Sequence, residues 1–236
     1  SSNTVVQNFQ NLNATININS AITSGITNYS YFGNGGVNSI INIQNTTLDA
    51  IVNQTGVSGQ FFVNYLDADI SICTTSKGIN NVSGTFFNGA YSPASPGNIY
   101  IGNATIVAID NDATFNNIDD SFTGSIIEIG TPSTCGPVVL GIDNSSTFLN
   151  TSNGKITIGT VTSLTAINNT GTLSNTNLCS TIDTKTGNIS GTGSYVNSAI
   201  FLTSAPHNLF LASYHLATSF TNSGILVDSY NAFGNN

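Results

Sequence analysis

One short motif recurs in the sequence and constrains the fold more than any other feature. It consists of an apolar residue, Asn, Gly and a second apolar residue, each separated from the next by one residue. Its copies run over residues 167–173 and 220–226, with a shortened copy at 32–36 and a looser copy at 148–156. Apolar residues at every second position are typical of a strand, and Asn and Gly tolerate the positive φ of a tight corner. The motif therefore predicts strands that turn repeatedly.

The spacing of apolar groups limits the choice of all-β fold. Strand-sized groups recur at intervals of roughly 8 to 12 residues, which is typical of a sandwich, a barrel or a solenoid. The motif favours a solenoid, because stacked coils align equivalent Asn side chains in amide ladders and need Gly at the corners. The spacing from Phe148 to Ile167 is about one coil, but the other copies do not fall on its multiples. We predict an all-β chain folded as a parallel β-helix, with a β-sandwich or jelly roll completed by a donated N-terminal strand as the alternative.

The chain length and the N-terminal pattern bear on domain organisation. We expect one all-β domain over residues 1–236, since all-β folds of this size commonly stay single. Apolar and polar residues alternate from Leu12 to Ile22, so residues 1–22 are a candidate donor or edge strand. Residues 204–220 have helical spacing with Ser204 as a cap, although their β-branched and aromatic content argues equally for a strand.

The scarcity of charge excludes several classes of function. Charged residues make up 6% of the chain, against roughly 25% in an ordinary soluble domain. Three lysines, no arginine and eleven acids give a net charge of −8. Such a surface repels nucleic-acid backbones and anionic lipids, and no apolar run reaches the roughly 18 residues of a membrane helix. We therefore expect neither nucleic-acid binding nor membrane insertion.

The termini and the cysteines bear on the cellular compartment. The chain contains no methionine and begins SSNTVV, which predicts a secreted, extracellular or cell-surface product whose signal peptide has been removed. Its three cysteines, Cys73, Cys135 and Cys179, allow one internal disulfide, and the sequence leaves the pair open. Their spacing matches no zinc or redox motif.

One acidic cluster is a candidate metal site. The segment DNDATFNNIDD contains Asp110, Asp112, Asp119 and Asp120 with no lysine beside them in the sequence. Hard oxygen ligands without cations suit Ca²⁺, although a solvated acidic turn has the same composition. An EF-hand loop is excluded, because Phe115 stands where that loop needs Gly and Ser121 where it needs Glu.

No constellation for catalysis is evident. Polysaccharide-cleaving β-helices use paired carboxylates, but Asp119 and Asp120 point to opposite faces if they lie on a strand, and the chain has no arginine. His207 and His215 lie eight residues apart, too far for one metal on a helix or a strand. We expect no enzymatic activity and no cofactor other than calcium.

A set of asparagines begins Asn-x-Ser/Thr and supplies candidate glycosylation sites. They are Asn13, Asn28, Asn45, Asn53, Asn81, Asn103, Asn144, Asn150, Asn168 and Asn188. Their number is close to chance for this composition, so the motif alone does not indicate glycosylation.

The segments SFTNSGIL, AINNTGTL and STFLNTSNGKITIG resemble the coils of bacterial secreted β-helix proteins, the haemagglutinin-like and autotransporter adhesins. The resemblance covers residues 98–228. It implies a right-handed parallel β-helix at a cell surface, used for adhesion or as a stalk. The alternating N-terminal strand resembles the donated strand of archaeal and bacterial filament subunits.

Two functions follow from these observations. The first is a non-enzymatic structural subunit of an extracellular or cell-surface filament, which binds copies of itself by coil stacking or by strand donation. The second is a monomeric surface adhesin or carbohydrate-binding module that makes cell-surface or glycan contacts. Tyr29, Tyr31 and Tyr65 are its candidate platforms.

Overall fold

A computed structural model describes residues 4–6, 9–21, 23–54, 61–89, 96–119, 124–177, 179–203 and 219–228. Within these ranges the chain is all-β, and its parallel strands stack as a β-solenoid. The predicted parallel β-helix is therefore confirmed, in place of a sandwich or jelly roll.

The regular elements of the described residues are all strands. In chain order they are β1 (Thr4–Val6), β2 (Phe9–Leu12), β3 (Thr15–Ile18), β4 (Ile26–Asn28), β5 (Phe32–Gly35), β6 (Ile40–Gln44), β7 (Asp49–Gln54), β8 (Phe61–Tyr65), β9 (Ala68–Ser83), β10 (Thr85–Asn88), β11 (Gly97–Asn111), β12 (Thr114–Asp119), β13 (Ile126–Ile129), β14 (Leu140–Asn144), β15 (Thr147–Ser152), β16 (Lys155–Ile158), β17 (Thr165–Asn169), β18 (Thr172–Asn175), β19 (Thr181–Thr184), β20 (Asn188–Ser190), β21 (Ser194–Asn197), β22 (Ile200–Thr203), β23 (Ser219–Asn222) and β24 (Ile225–Asp228).

The strands form three faces. The first face is a nine-stranded parallel sheet in the order β2-β5-β8-β10-β12-β15-β18-β21-β23. A 15-stranded sheet forms the other two. It divides because β9 and β11 each continue around a corner, at Thr74 (φ 57°) and Asn103 (φ 52°). The second face contains β3, β6, the first parts of β9 and β11, and β13, β16, β19, β22 and β24; the third contains β1, β4, β7, the remainders of β9 and β11, and β14, β17 and β20.

The core consists of identical side chains stacked from coil to coil. Phe32, Phe62, Phe86, Phe115 and Phe148 form a column inside the first face, with adjacent rings 4.5–4.8 Å apart and within 8° of parallel. This distance is the spacing of neighbouring strands, so in-register pairing places each ring on the next. Columns of isoleucine line the other two faces, and their members from Ile41 to Ile182 are fully buried.

Asparagine side chains form two ladders at the corners, as the motif predicts. In the first, each Nδ2 donates to the Oδ1 of the next residue at 2.8–3.0 Å, through Asn11, Asn34, Asn64, Asn88, Asn117, Asn150, Asn175, Asn197 and Asn222. The second connects Asn28, Asn53, Asn81, Asn111, Asn144 and Asn169 at 2.6–2.9 Å. The recurring motif therefore marks two different corners of the coil.

The coils differ in length, which explains the irregular period of the motif. Successive members of the first ladder are separated by as few as 22 and as many as 33 residues. Phe148 pairs with Leu173 in the next coil, whereas Ile167 lies on the third face. The interpretation of the interval from Phe148 to Ile167 as one coil was therefore wrong, because this interval runs from the first face to the third and does not complete a turn.

The predicted N-terminal strand from Leu12 to Ile22 is interrupted. Asn13 has a φ of 55° and turns the chain between β2 and β3, so Leu12 and Ile16 lie on different faces. β3 pairs in parallel with β6 of the same chain. The predicted helix or strand from Ser204 lies outside the described residues as far as residue 218, as do His207 and His215.

Candidate functional site

The two ends of the solenoid are the most distinctive surfaces of the described residues. At one end, β2 and β3 each pair with a single described strand, and at the other β23 and β24 do the same. Apolar side chains are exposed there: Phe9 is 37% exposed, Leu12 53% and Ile225 56%. Each end is therefore an open edge of the described sheets.

The two open edges are complementary in their hydrogen bonding. The Asn11 amide donates to Asn34, so Oδ1 of Asn11 points away from Asn34, toward the open end of the ladder. Asn222 accepts from Asn197 and donates to its own neighbour, the carbonyl oxygen of Gly224, at 3.3 Å. One end thus presents an amide oxygen in the ladder and the other presents an amide NH₂ group.

The edge strands lack the features that usually prevent edge-to-edge association. Their sequences, FQNL, TINI, SFTN and ILVD, contain no lysine and no proline. Soluble β proteins normally place such residues, or bulges, on exposed edges. Asp228 is the one charged residue in these four strands, so charge repulsion between ends is weak.

A charged group on the outside of the third face includes two of the candidate calcium ligands. Lys77 forms an ion pair with Asp110, which lies in the neighbouring coil. Asp112 accepts a hydrogen bond from the Ser145 hydroxyl at 2.5 Å. Asp143 accepts one from Nδ2 of Asn168 at 2.9 Å. The acidic cluster has no lysine beside it in the sequence, but the fold brings Lys77 into contact with it.

The pKa values of this group follow from its crowding. Burial raises the pKa of Asp143, and the carboxylates of Asp110 and Asp112 add to the rise. Burial lowers the pKa of Lys77, but the hydrogen bond and charge of Asp110, together with the charges of Asp49 and Asp112, outweigh burial and raise this pKa overall. Lys77 therefore stays protonated and balances part of the acidic charge.

The other two candidate ligands lie elsewhere. Asp119 ends β12 on the first face, opposite Ser152, while Asp110 lies on the third face. Asp120 is outside the described residues. Among the residues that the structure describes, no group of three or more His, Cys, Asp or Glu side chains could hold a metal ion. The calcium site stays a prediction.

Aromatic side chains cluster on the outside of the first face, near its N-terminal end. The Tyr31 and Phe87 rings each contact Phe61 edge-on, with ring centroids 5.2 and 5.6 Å from it. Tyr31 lies over Gly33 and Tyr65 over Gly35: a Cβ built on either glycine would come within 2.8 Å of the tyrosine. Burial, with the adjacent Tyr31, raises the pKa of Tyr65.

Two of the three proposed tyrosine platforms are therefore neighbours. Tyr29 is exposed in the turn between β4 and β5, apart from these ring contacts. Sequence reasoning missed Phe61 and Phe87, which complete the aromatic cluster. It also missed Lys77 as the partner of Asp110. Both sets of contacts would follow from knowing which residues of successive coils are in register. The sequence does not show this register directly, because the coils differ in length.

The disulfide joins Cys73 to Cys135, with Cα atoms 5.9 Å apart, and Cys179 is an exposed free thiol. Cys135 lies in a loop that crosses the intervening coil at Gly102. A Cβ at Gly102 would lie 2.8 Å from the backbone nitrogen of Cys135. The missing side chain lets the loop reach Cys73, so the bond fastens one coil to the next but one.

The candidate glycosylation sites divide by burial. Six are buried: Asn28, Asn53, Asn81, Asn144, Asn150 and Asn188. The first five belong to the amide ladders, so a glycan on any of them would require the fold to open. Asn13 and Asn45 are exposed, and Asn103 and Asn168 are half-buried. Glycosylation at these four stays a prediction.

Comparison of the chain with protein-family models, curated proteins and solved structures finds no match. The part of the chain that the structure describes contains no helix capable of spanning a bilayer.

Proposed function

We propose that this chain is a non-enzymatic structural subunit of an extracellular or cell-surface filament that assembles by stacking solenoid coils. The observation that carries the proposal is the pair of open, complementary edges at the two ends of the described solenoid. Edges with apolar side chains and almost no charge favour strand addition. A second copy is a partner whose strands have matching geometry.

The interior of the solenoid supports a mechanical role. In a solenoid each coil contacts only its neighbours, so stability comes from repeated coil-to-coil contacts. Here those contacts are stacked phenylalanine rings, isoleucine columns and two amide ladders. Fully satisfied buried polar networks rigidify a structure. The result is a stiff rod rather than a hinged or hollow binding protein.

The disulfide supports an extracellular location. Disulfides persist in oxidising compartments and are rare in the cytosol. The bond between Cys73 and Cys135 closes a loop of 62 residues across stacked coils. This covalent connection suits a subunit that experiences tension outside the cell.

Electron microscopy of the purified chain in dilute neutral buffer tests the proposal. We expect filaments of uniform width that lengthen with protein concentration, with and without a calcium chelator. Loss of filaments only on chelation would assign the Asp110–Asp120 segment a role in assembly. Single particles at every concentration, with and without chelator, would overturn the structural function.

The aromatic cluster supports the second function, a glycan-binding module. Flat tyrosine rings with hydroxyl groups offer an apolar surface with polar edges, the combination used to bind sugar rings. The chain's net charge of −8 favours a neutral glycan over an anionic one. Affinity electrophoresis in dextran or hydroxyethylcellulose is the test. The control is Tyr100→Ala, since Tyr100 is a half-buried tyrosine of β11 on the second face. Retardation that Tyr31→Ala and Tyr65→Ala abolish, and that Tyr100→Ala retains, would support this function; no retardation would contradict it.

A further inference from the structure

We infer that the filament contact is a head-to-tail continuation of the solenoid, in which β23 and β24 of one copy pair in parallel with β2 and β3 of the next. This inference rests on the proposed function and identifies the surfaces that perform it. The contact continues the first ladder from Asn222 to Asn11 and places Ile225 beside Thr15.

Strand direction determines the orientation of the two copies. All neighbouring strands in the described sheets are parallel. Only a head-to-tail arrangement keeps them parallel across the contact, since two identical ends would meet in opposite directions. A head-to-tail contact uses two different surfaces and leaves one of each free, so it grows into an open filament unless rotation closes a ring.

The backbone of β3 has hydrogen-bonding groups for a further strand. The nitrogen of Ile40 donates to the carbonyl oxygen of Ala14 at 3.0 Å, so the polar groups of Ala14 face β6. Because successive residues of a strand direct these groups to opposite sides, the N–H groups of Thr15 and Asn17 face the open side.

The backbone at the other end is complementary. Ile225 donates to the carbonyl oxygen of Ala199 at 2.8 Å. Because the C=O and N–H of one trans peptide point in opposite directions, the carbonyl oxygen of Gly224 turns to the open side. The internal pairing of Ile40 with Ala14 predicts the equivalent bond across the contact. It runs from the N–H of Thr15 to the carbonyl oxygen of Gly224 in the neighbouring copy.

The amide ladder fixes the register of the contact. With Ile225 beside Thr15, Nδ2 of Asn222 faces Oδ1 of Asn11 in the next copy, as in every internal step of the ladder. A slip of one residue would turn the apolar side chains of the edge strand from the core to the surface. The register is therefore specified by both the amide and the apolar pattern.

Cysteine cross-linking tests the register. Thr15→Cys and Ile225→Cys are made in separate full-length chains that also carry Cys179→Ser. In register, the two Cα atoms lie about 5 Å apart, within disulfide range. We expect oxidised dimers on mixing. Asn17→Cys mixed with Ile225→Cys is the matched control: its Cα atoms lie roughly 8 Å apart, beyond that range, so cross-linking should fall at least tenfold.

A proline substitution tests the edge itself. Thr15→Pro removes an N–H that faces the open side, at the first residue of β3, where proline is tolerated. Thr15→Val keeps that N–H and is the control. We expect Thr15→Pro to melt like Thr15→Val yet to form no filaments, while Thr15→Val polymerises.

The outcomes separate this inference from the proposed function. If the unmodified chain forms no filaments, the structural function falls and this contact falls with it. If filaments form but persist in Thr15→Pro, or if Asn17→Cys cross-links as well as Thr15→Cys, the head-to-tail contact is wrong and the filament function stands.

Discussion

The side-chain amide of Asn117 donates to Oδ1 of Asn150 at 2.8 Å, although 33 residues separate them along the chain. Both side chains are fully buried. Asn117 in turn accepts from Asn88 at 2.8 Å. Asn117 thus bonds to both of its ladder neighbours, and its loss leaves one N–H of the Asn88 amide and Oδ1 of Asn150 without these bonds, while the Asn88 amide keeps its bond to the carbonyl oxygen of Ile126.

Asn117→Ala should lower the free energy of unfolding by about 2–4 kcal/mol, because it removes the partner of one N–H of the Asn88 amide and of Oδ1 of Asn150 in a buried site. Urea denaturation followed by circular dichroism measures the loss. Asn116→Ala is the control, since Asn116 is the half-buried neighbour on the outer side of β12; we expect less than about 0.5 kcal/mol there. Equal losses would contradict the role of the ladder.

Phe86→Ala should lower the free energy of unfolding by about 3–5 kcal/mol, because it opens a cavity in the phenylalanine column. The ring of Phe86 lies 4.6 Å from that of Phe62 and 4.8 Å from that of Phe115, fully buried between them. Phe87→Ala removes the adjacent, half-buried ring on the outside of the sheet and should cost about 1 kcal/mol. Thermal unfolding of both variants gives the comparison, and a Phe87 cost equal to that of Phe86 would argue against the column as the core.

The fold could be predicted from the sequence because its local requirements are visible there. Alternating apolar residues mark strands, and Asn and Gly mark corners. The same side chains then form the ladders, as Asn150, Asn169 and Asn222 do. The alternating pattern from Leu12 to Ile22 predicted one straight strand, but Asn13 has a positive φ and forms a corner within it.

The long-range pairs could not be predicted, because coil length varies between 22 and 33 residues and conceals which positions stack. The partners Lys77 and Asp110, 33 residues apart, come together only through that register. The pairing of Cys73 with Cys135 depends in addition on a loop that crosses a coil. The open edges were only partly foreseeable, from the scarcity of charge.

Gly102→Val should prevent the disulfide, because the new side chain would occupy the path of the loop that carries Cys135. Thiol titration of the denatured, unreduced protein is the measurement. The parent chain should show one free thiol, Cys179, and the variant should approach the full complement of three cysteines. Asn98→Val, on the same strand, should leave one. A single thiol in Gly102→Val would show that the loop has another path.

The buried phenol of Tyr195 should make stability depend on alkaline pH. Burial raises its pKa to about 12, and its hydroxyl donates to the carbonyl oxygen of Ser190 at 2.7 Å. In the unfolded chain this phenol loses its proton near pH 10. The contribution of Tyr195 to the free energy of unfolding is therefore fully present below about pH 10 and is lost between about pH 10 and 12. The total loss is up to roughly 2–3 kcal/mol. Tyr195→Phe cannot titrate, and comparing the two chains cancels the other ionisable groups. Urea unfolding from about pH 8 to 11.5 should show the parent chain losing more stability than the variant, and parallel profiles would show that Tyr195 ionises as freely in the folded chain as in the unfolded one.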